Sequence, residues 1–346
     1  MAYTTINKSS DYFNTKLYTG TGSQQTISGV GFESDFSWIK LRDQNTANHE
    51  LFDTIRGATK YLNSNLNVAE QTDAQKIQSW NADGFVIGTN GNVNQNTANF
   101  ASWNWLANGA GSANTDGSIS STVSANTTSG FSIVSYTGNG VAGATIGHGL
   151  GSAPSAIFVK GLSALSNWSS YHSVLGNTGY MRLDGTGAFT TASTYWNNTS
   201  PDNNVFTVGT TGNINASGND FVAYCFAEKT GYSKFGSYVG NGNADGTFAY
   251  LGFKPAMVIV KPAIGVTNGW YIFDNKRDTY NPERNALFPN ENNTETDYTS
   301  SLDFLSNGFK CRTTSSGQNY SVGTYIYMAF AEAPLVGSNN VPCTAR

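Results

Sequence analysis

Residues whose types and spacing could do chemistry are few in this sequence, and the first of them is a glycine pattern. Gly138-x-Gly140-x-x-Gly143, within SYTGNGVAGATIG (135–147), has the spacing of a dinucleotide-binding loop. Such a loop follows a strand and opens a helix, whose free N–H groups hold the pyrophosphate. Here Ala144-Thr145-Ile146-Gly147-His148-Gly149-Leu150-Gly151 follows, and glycines interleaved with β-branched residues cannot sustain a helix nucleus. The stretch reads as a turn. Glu228 and Glu332 each close a Phe-Ala-Glu run. Paired carboxylates serve glycoside hydrolysis when about 5–10 Å apart. These two occupy equivalent places in separate repeats, with Ala107 at the third place, so a structural role such as accepting turn N–H groups is expected. His49, His148 and His172 form no HxH or HxxxH pair, and a metal site is not expected. Cys225, Cys311 and Cys343 match neither a disulfide framework nor a zinc motif, and read as buried or incidental thiols. No Gly-x-Ser-x-Gly elbow, phosphate loop or metalloprotease helix occurs. The expectation is a protein without catalytic residues, cofactor or metal.

Composition points the same way. Charged residues make up 12% of the 346 positions, against about 25% in a typical chain. Aromatics reach 13%, which a disordered chain would not carry. Thr/Val/Tyr/Phe alternations broken by Gly/Asn/Asp turns indicate an all-β fold. The best helical candidate, Glu70 to Trp80, is short. A net charge of −4 without a Lys/Arg cluster argues against nucleic-acid binding. No segment approaches about 18 apolar residues, so no membrane insertion is expected. MAYTTINKSSDYF at the N-terminus lacks the apolar core of a signal peptide, and synthesis in a cytoplasm is the expectation.

The elements that position these residues come in three copies. Leu17-Tyr-Thr-Gly-Thr-Gly22, Ser135-Tyr-Thr-Gly-Asn-Gly140 and Ser237-Tyr-Val-Gly-Asn-Gly242 each open a repeat. An apolar run ending in Lys40, Lys160 or Lys261 follows in each, and then an aromatic segment: NHELFDTIRG (48–57), NWSSYHSVLG (167–176) and GWYIFDNKRD (269–278). DGFVIG (83–88), NVFTVG (204–209) and NGFKCR (307–312) come next, before the closing runs FASWNWLA (100–107), FVAYCFAE (221–228) and YIYMAFAE (325–332). The expected architecture is three tandem related β-sandwich units of jelly-roll or lectin-like type. They span 1–107, 131–228 and 229–332, with a Gly/Ser/Thr-rich linker over 108–130 and a tail over 333–346. Ser118–Ser124 could add an edge strand. The Lys-ending runs read as central strands buried on both faces, and the closing strands as packing one face into the core. The three lysines read as snorkelling residues that mark where a strand meets water.

What such a surface can do is bind. Polar Asn/Asp loops with an occasional aromatic suit carbohydrates, the ring stacking on the sugar and the amides bonding its hydroxyls. Tyr195-Trp196-Asn197-Asn198 with Asp202, special to the second repeat, is the candidate ligand-binding loop; Trp80 and Asn81 hold a comparable place in the first. The competing reading puts Trp196 in the core.

YTGNG…HGLG…P…FVK, AYCFAEKTGYSKFGSYVGNGNADG (223–246) and YMAFAE near an Ala-Arg terminus resemble repeat-built virion structural or tail-fibre-like proteins of tailed, especially marine, bacteriophages. The resemblance covers essentially the whole chain, and GYSKFGSYxGNGNADG is its most specific part. It implies a virion protein synthesised in a bacterial host's cytoplasm, and brings no functional residues with it. The first expectation is a surface-exposed adhesin recognising host glycan or another receptor. The alternative is an architectural capsid decoration, head-fibre or tail-attached protein whose partners are other virion proteins. A polysaccharide depolymerase is the least favoured. Two oligomeric states stay open: a homotrimer, or one chain whose three repeats imitate a trimer.

Overall fold

The computed structural model describes residues 3–44 and 46–336. It is nearly all β; the helical turns among the described residues are a 3-10 turn, Ser9–Asp11, and two single-turn α-helices, Gly91–Asn94 and Gly212–Asn215. The sequence landmarks become strands that pair in one order three times. In the first repeat, Phe13–Thr19 pairs with Asn99–Trp105, which pairs with Phe36–Leu41, which pairs with Glu50–Asp53. Phe131–Thr137, Asp220–Phe226, Ala156–Gly161 and Ser169–His172 repeat that order. So do Ser233–Val239, Thr324–Pro334, Phe253–Ile264 and Tyr271–Asp274. Register is kept as well: Lys40, Lys160 and Lys261 lie opposite Ala101, Val222 and Ile326. All of these pairings are antiparallel.

Two expectations about local structure are corrected. Glu70 to Trp80 is not helical but holds strands Gln71–Thr72 and Ile77–Asn81. The Asp73 carboxylate takes the Gln75 N–H at 2.7 Å, a local bond that competes with helix formation. The segment 108–130 is more than a linker. Ser112–Asn114 and Ser121–Asn126 pair with each other and extend the second repeat's sheet beside Phe131–Thr137. The expected edge strand is therefore present, shifted by a few residues, with a further strand outside it.

Each of these sheets packs both faces. One face meets a smaller sheet of its own repeat: Gln25–Ser28, Gly84–Ile87 and Ile77–Asn81 in the first, Ala144–Gly147 and Val205–Val208 in the second. In the third, that layer is four strands including Phe248–Tyr250 and Gly308–Cys311. Separate apolar clusters fill these three spaces. The other faces of all three sheets meet in one shared core. At its centre Trp105, Phe226 and Phe330, equivalent residues of the three closing strands, form a closed triangle of rings. Their centroids lie 6.2, 5.5 and 5.9 Å apart, within the range where aromatic pairs attract. A cavity of about 20 Å³ beside them is lined by apolar side chains from all three repeats. The closing strands are thus buried on both faces rather than one, because a second core lies behind the first.

The seams between repeats run head to tail. Tyr224 Oη donates to Asp53 of the first repeat at 2.7 Å, and Trp103 Nε1 donates to Asp274 of the third at 3.0 Å. Trp103 and Tyr224 are equivalent, as are Asp53 and Asp274. His172 holds the matching place in the second repeat. Val174 N–H is directed to its Nδ1, so its Nε2–H donates to the Tyr327 carbonyl at 3.3 Å. Backbone bonds repeat the cycle: Glu70 to Leu162, Phe189 to Ala263 and Glu295 to Arg42, at 3.0, 2.8 and 2.7 Å. A buried arginine answers each aspartate. Arg56 bonds Asp53 and the Leu51 carbonyl, and Arg277 bonds Asp274 and the Ile272 carbonyl. His172 has Leu175 in place of an arginine, and must stay neutral.

Burial lowers the His172 pKa from 6.5 to about 4. A depressed histidine takes up its proton in the unfolded chain first, so its penalty is absent above pH 6.5 and grows as pH falls to about 4. Between pH 6.5 and 5 the expected loss is about 2 kcal/mol from this one group. Denaturant unfolding across that window should show a slope shallower by one proton in His172→Gln than in wild type; equal slopes would refute the assignment.

Candidate functional site

The glycine pattern that opened the sequence builds a turn around a buried asparagine. Gly20, Gly138 and Gly240 have the space of a Cβ taken by the carbonyls of Gln95, Ala216 and Tyr320, at 2.2, 2.5 and 2.2 Å. Only glycine fits there. Asn94, Asn215 and Asn319 each accept the N–H between the two glycines, from Thr21, Asn139 and Asn241 at 2.8, 3.0 and 3.0 Å. Their amide nitrogens donate to the Gly88, Gly209 and Thr313 carbonyls. In Gly138-x-Gly140-x-x-Gly143, the N–H groups a phosphate would need are spent on Asn215.

The residues singled out from sequence fall as follows. Tyr195 and Trp196 are buried in the second repeat's outer core, Tyr195 stacked on Tyr180 at 3.7 Å and Trp196 edge-on to Tyr171 at 5.7 Å. Neither ring is open to a sugar, which corrects the expectation of a stacking platform. Asn197, Asn198 and Asp202 are exposed. The Asp202 carboxylate is taken up by the Asn204 and Val205 N–H groups, which hold its pKa low. Buried His148 reaches the Asp202 carbonyl with Nε2, while His172 lies in the seam, so the two do not converge. Among the described residues, no group of three or more His, Cys, Asp or Glu could hold a metal ion. Glu228 accepts the Phe235 N–H, and Glu332 meets Asn275 and Lys254. Cys225 and Cys311 are buried free thiols; Cys343 lies outside the described residues.

The three lysines are a correction. Lys40, Lys160 and Lys261 do not snorkel but are fully buried. Their ammonium groups bond backbone carbonyls: Leu41 and Asn292 for Lys40, Ser166 for Lys160, and Thr186, Pro262 and Asn268 for Lys261. Burial draws their pKa values down to about 8, 8 and 7. Thr186 belongs to the second repeat, so Lys261 also ties a seam.

A different site emerges when equivalent surface positions are compared. Thr97, Gly218 and Val322 each send their N–H to the first glycine's carbonyl and each has positive φ, 62, 78 and 62°. Two residues earlier stand Gln95, Ala216 and Tyr320. Opening strands end at Thr19, Thr137 and Val239, paired with Asn99, Asp220 and Thr324. Three positions beyond the strand lysine, Asp43 and Ser163 accept the N–H of Asn99 and Asp220, whereas Ile264 pairs directly with Thr324. The third repeat therefore carries apolar or aromatic side chains at all four positions where the others carry small or polar ones. They are exposed: Val322 80%, Val239 56%, Tyr320 52% and Ile264 51%. Val322 is also strained, since a β-branched residue at positive φ is a conformational outlier. The cue lay in NQNTANF (94–100), NASGNDF (215–221) and NYSVGTY (319–325), which single out Tyr320 and Val322 once set side by side.

The chain belongs to the DUF7483 family, described as a domain of unknown function; its profile matches residues 8–334, across all three repeats to the end of the last strand. Comparison with curated proteins and with solved structures finds no match.

Val322→Gly copies Gly218 of the second repeat, and relief of the left-handed backbone should stabilise by about 1 kcal/mol. Thermal unfolding should show a higher midpoint, and Gly218→Val a lower one. An unchanged or lower midpoint for Val322→Gly would show that the turn carries no strain.

Proposed function

We propose that this chain is a non-catalytic virion structural protein of a tailed bacteriophage, built from three β-sandwich units closed around one core, and docked to another virion protein through the rim of its third repeat. The apolar replacement at Val239, Ile264, Tyr320 and Val322 carries the reading. Single exposed apolar residues are ordinary, but a cluster breaking an internal symmetry marks a place where one repeat meets something the others do not. Three aliphatic side chains and one tyrosine ring, with a single hydroxyl among them, suit a protein surface better than a sugar. The virion assignment rests on the sequence resemblance, and a closed head with small polar loops elsewhere is in keeping with it.

The second reading, a glycan-binding adhesin, keeps support from one place. Asn197 and Asn198 are exposed in succession at φ 51° each, beside exposed Asp202. Such amides could bond sugar hydroxyls without a stacking ring.

Replacing Val239→Thr, Tyr320→Gln and Val322→Gly together installs residues the fold already accepts at equivalent positions. The purified variant should fold as wild type yet fail to add to particles lacking this protein. Normal incorporation would overturn the docking reading. Binding of the wild type to a glycan array, lost in Asn197→Ala/Asn198→Ala, would favour the adhesin instead.

A further inference from the structure

One buried group of reactive side chains has no part in the seams or the rim. Glu50, on the aromatic strand of the first repeat, is fully buried, and its two carboxylate oxygens hold two different nitrogens. Oε2 accepts from Lys76 Nζ at 2.7 Å, and Oε1 accepts from Asn92 Nδ2 at 3.0 Å. Lys76 is itself buried, its Nζ lying 3.1 Å from the centroid of the Tyr61 ring. A buried amine, a half-buried carboxamide and a buried carboxylate between them are the reactants and proton carrier of an amide exchange.

We propose that Lys76 and Asn92 form an intramolecular isopeptide cross-link, with Glu50 as the group that moves the proton. Within the ion pair, the ammonium proton passes to Glu50, leaving a neutral amine beside a carboxylic acid. Lys76 Nζ attacks Asn92 Cγ while Glu50, already hydrogen-bonded to Asn92 Nδ2, stands against the nitrogen that will leave. The Nζ–Cγ bond forms, the Cγ–Nδ2 bond breaks, and Nδ2 leaves as ammonia with one proton supplied by Glu50. The second Nζ proton returns to Glu50, so no oxidant, reductant or other reactant is required. Burial favours the neutral pair: it raises the Glu50 carboxyl and lowers the Lys76 ammonium from their ordinary values, against their mutual attraction.

The other repeats supply two controls. In the second, Ser169, Tyr195 and Asn213 occupy the places of Glu50, Lys76 and Asn92, as the strand pairing and the Gly88 and Gly209 turn bonds show. There the Asn213 amide bonds the Tyr195 hydroxyl at 3.0 Å, so side chains from these two positions reach one another in this fold. In the third, Tyr271 stands in the place of Glu50. The constellation is thus confined to a single copy of the framework.

Mass spectrometry of the denatured full-length chain tests the proposal. The wild-type mass should fall short of the sequence mass by one ammonia. Peptide mapping should place the loss on a branched peptide joining Lys76 to Asn92, with no tryptic cleavage after Lys76. Asn92→Ala, at a partly exposed position, and Lys76→Arg should each show the full mass and no branched peptide. Glu50→Gln should retain both reactants unlinked in folded protein; if it fails to fold, the other two variants carry the test. A wild-type chain at full sequence mass after folding, or an ammonia loss mapping to any other residue, would overturn the assignment.

Discussion

Each inner sheet of this protein is apolar on both faces, and only one face can be covered by its own repeat. The other, carrying Trp103 and Trp105, Tyr224 and Phe226, or Met328 and Phe330, must find cover elsewhere. Three such faces close on one another, and that closure governs the rest of the structure. It places equivalent rings in a triangle and drives each aromatic strand against the next repeat's closing strand. It also leaves the strand-end lysines inside, where backbone carbonyls replace water. Burial of a charge is tolerated only when the group is paired or hydrogen-bonded. The seams follow that rule: Arg56 and Arg277 answer Asp53 and Asp274, and the second repeat substitutes a neutral histidine.

Closure explains which features could be read from sequence and which could not. Repeats, strand order and the structural character of the glycine turns follow from local patterning: alternation, turn residues and the recurrence of landmarks. Double burial of the Lys-ending strands was legible in their unbroken apolar runs. The lysines themselves misled, because a Lys after an apolar run ordinarily marks the approach to water, whereas here carbonyls of its own repeat, joined for Lys40 and Lys261 by one from another repeat, take that water's place. Trp196 misled in the same way. Its polar neighbours suggested a surface, but the ring turns inward while Asn197 and Asn198 adopt positive φ and turn out. Glu70 to Trp80 carried helix-favouring residues, and the bonds made by Asp73 and the pairing of Ile77–Asn81 outweighed them.

Three copies of one framework also offer a comparison within a single chain. Positions that keep their chemistry, such as Asn94, Asn215 and Asn319, serve the fold. Positions that change it in one copy have been released from that duty. The rim around Val322 and the Glu50–Lys76–Asn92 group are both of the second kind, in different repeats. Asymmetry on a symmetric scaffold is the feature on which both the proposed docking rim and the proposed cross-link rest.

Shared closure has one direct thermodynamic consequence. Repeats with independent cores would unfold independently, as the domains of a multidomain chain do, whereas repeats sharing a core lose it together. Differential scanning calorimetry of the full-length chain at neutral pH measures this. One transition is expected, with calorimetric and van't Hoff enthalpies equal; two or three resolved transitions, each with the enthalpy of about a hundred residues, would contradict a common core.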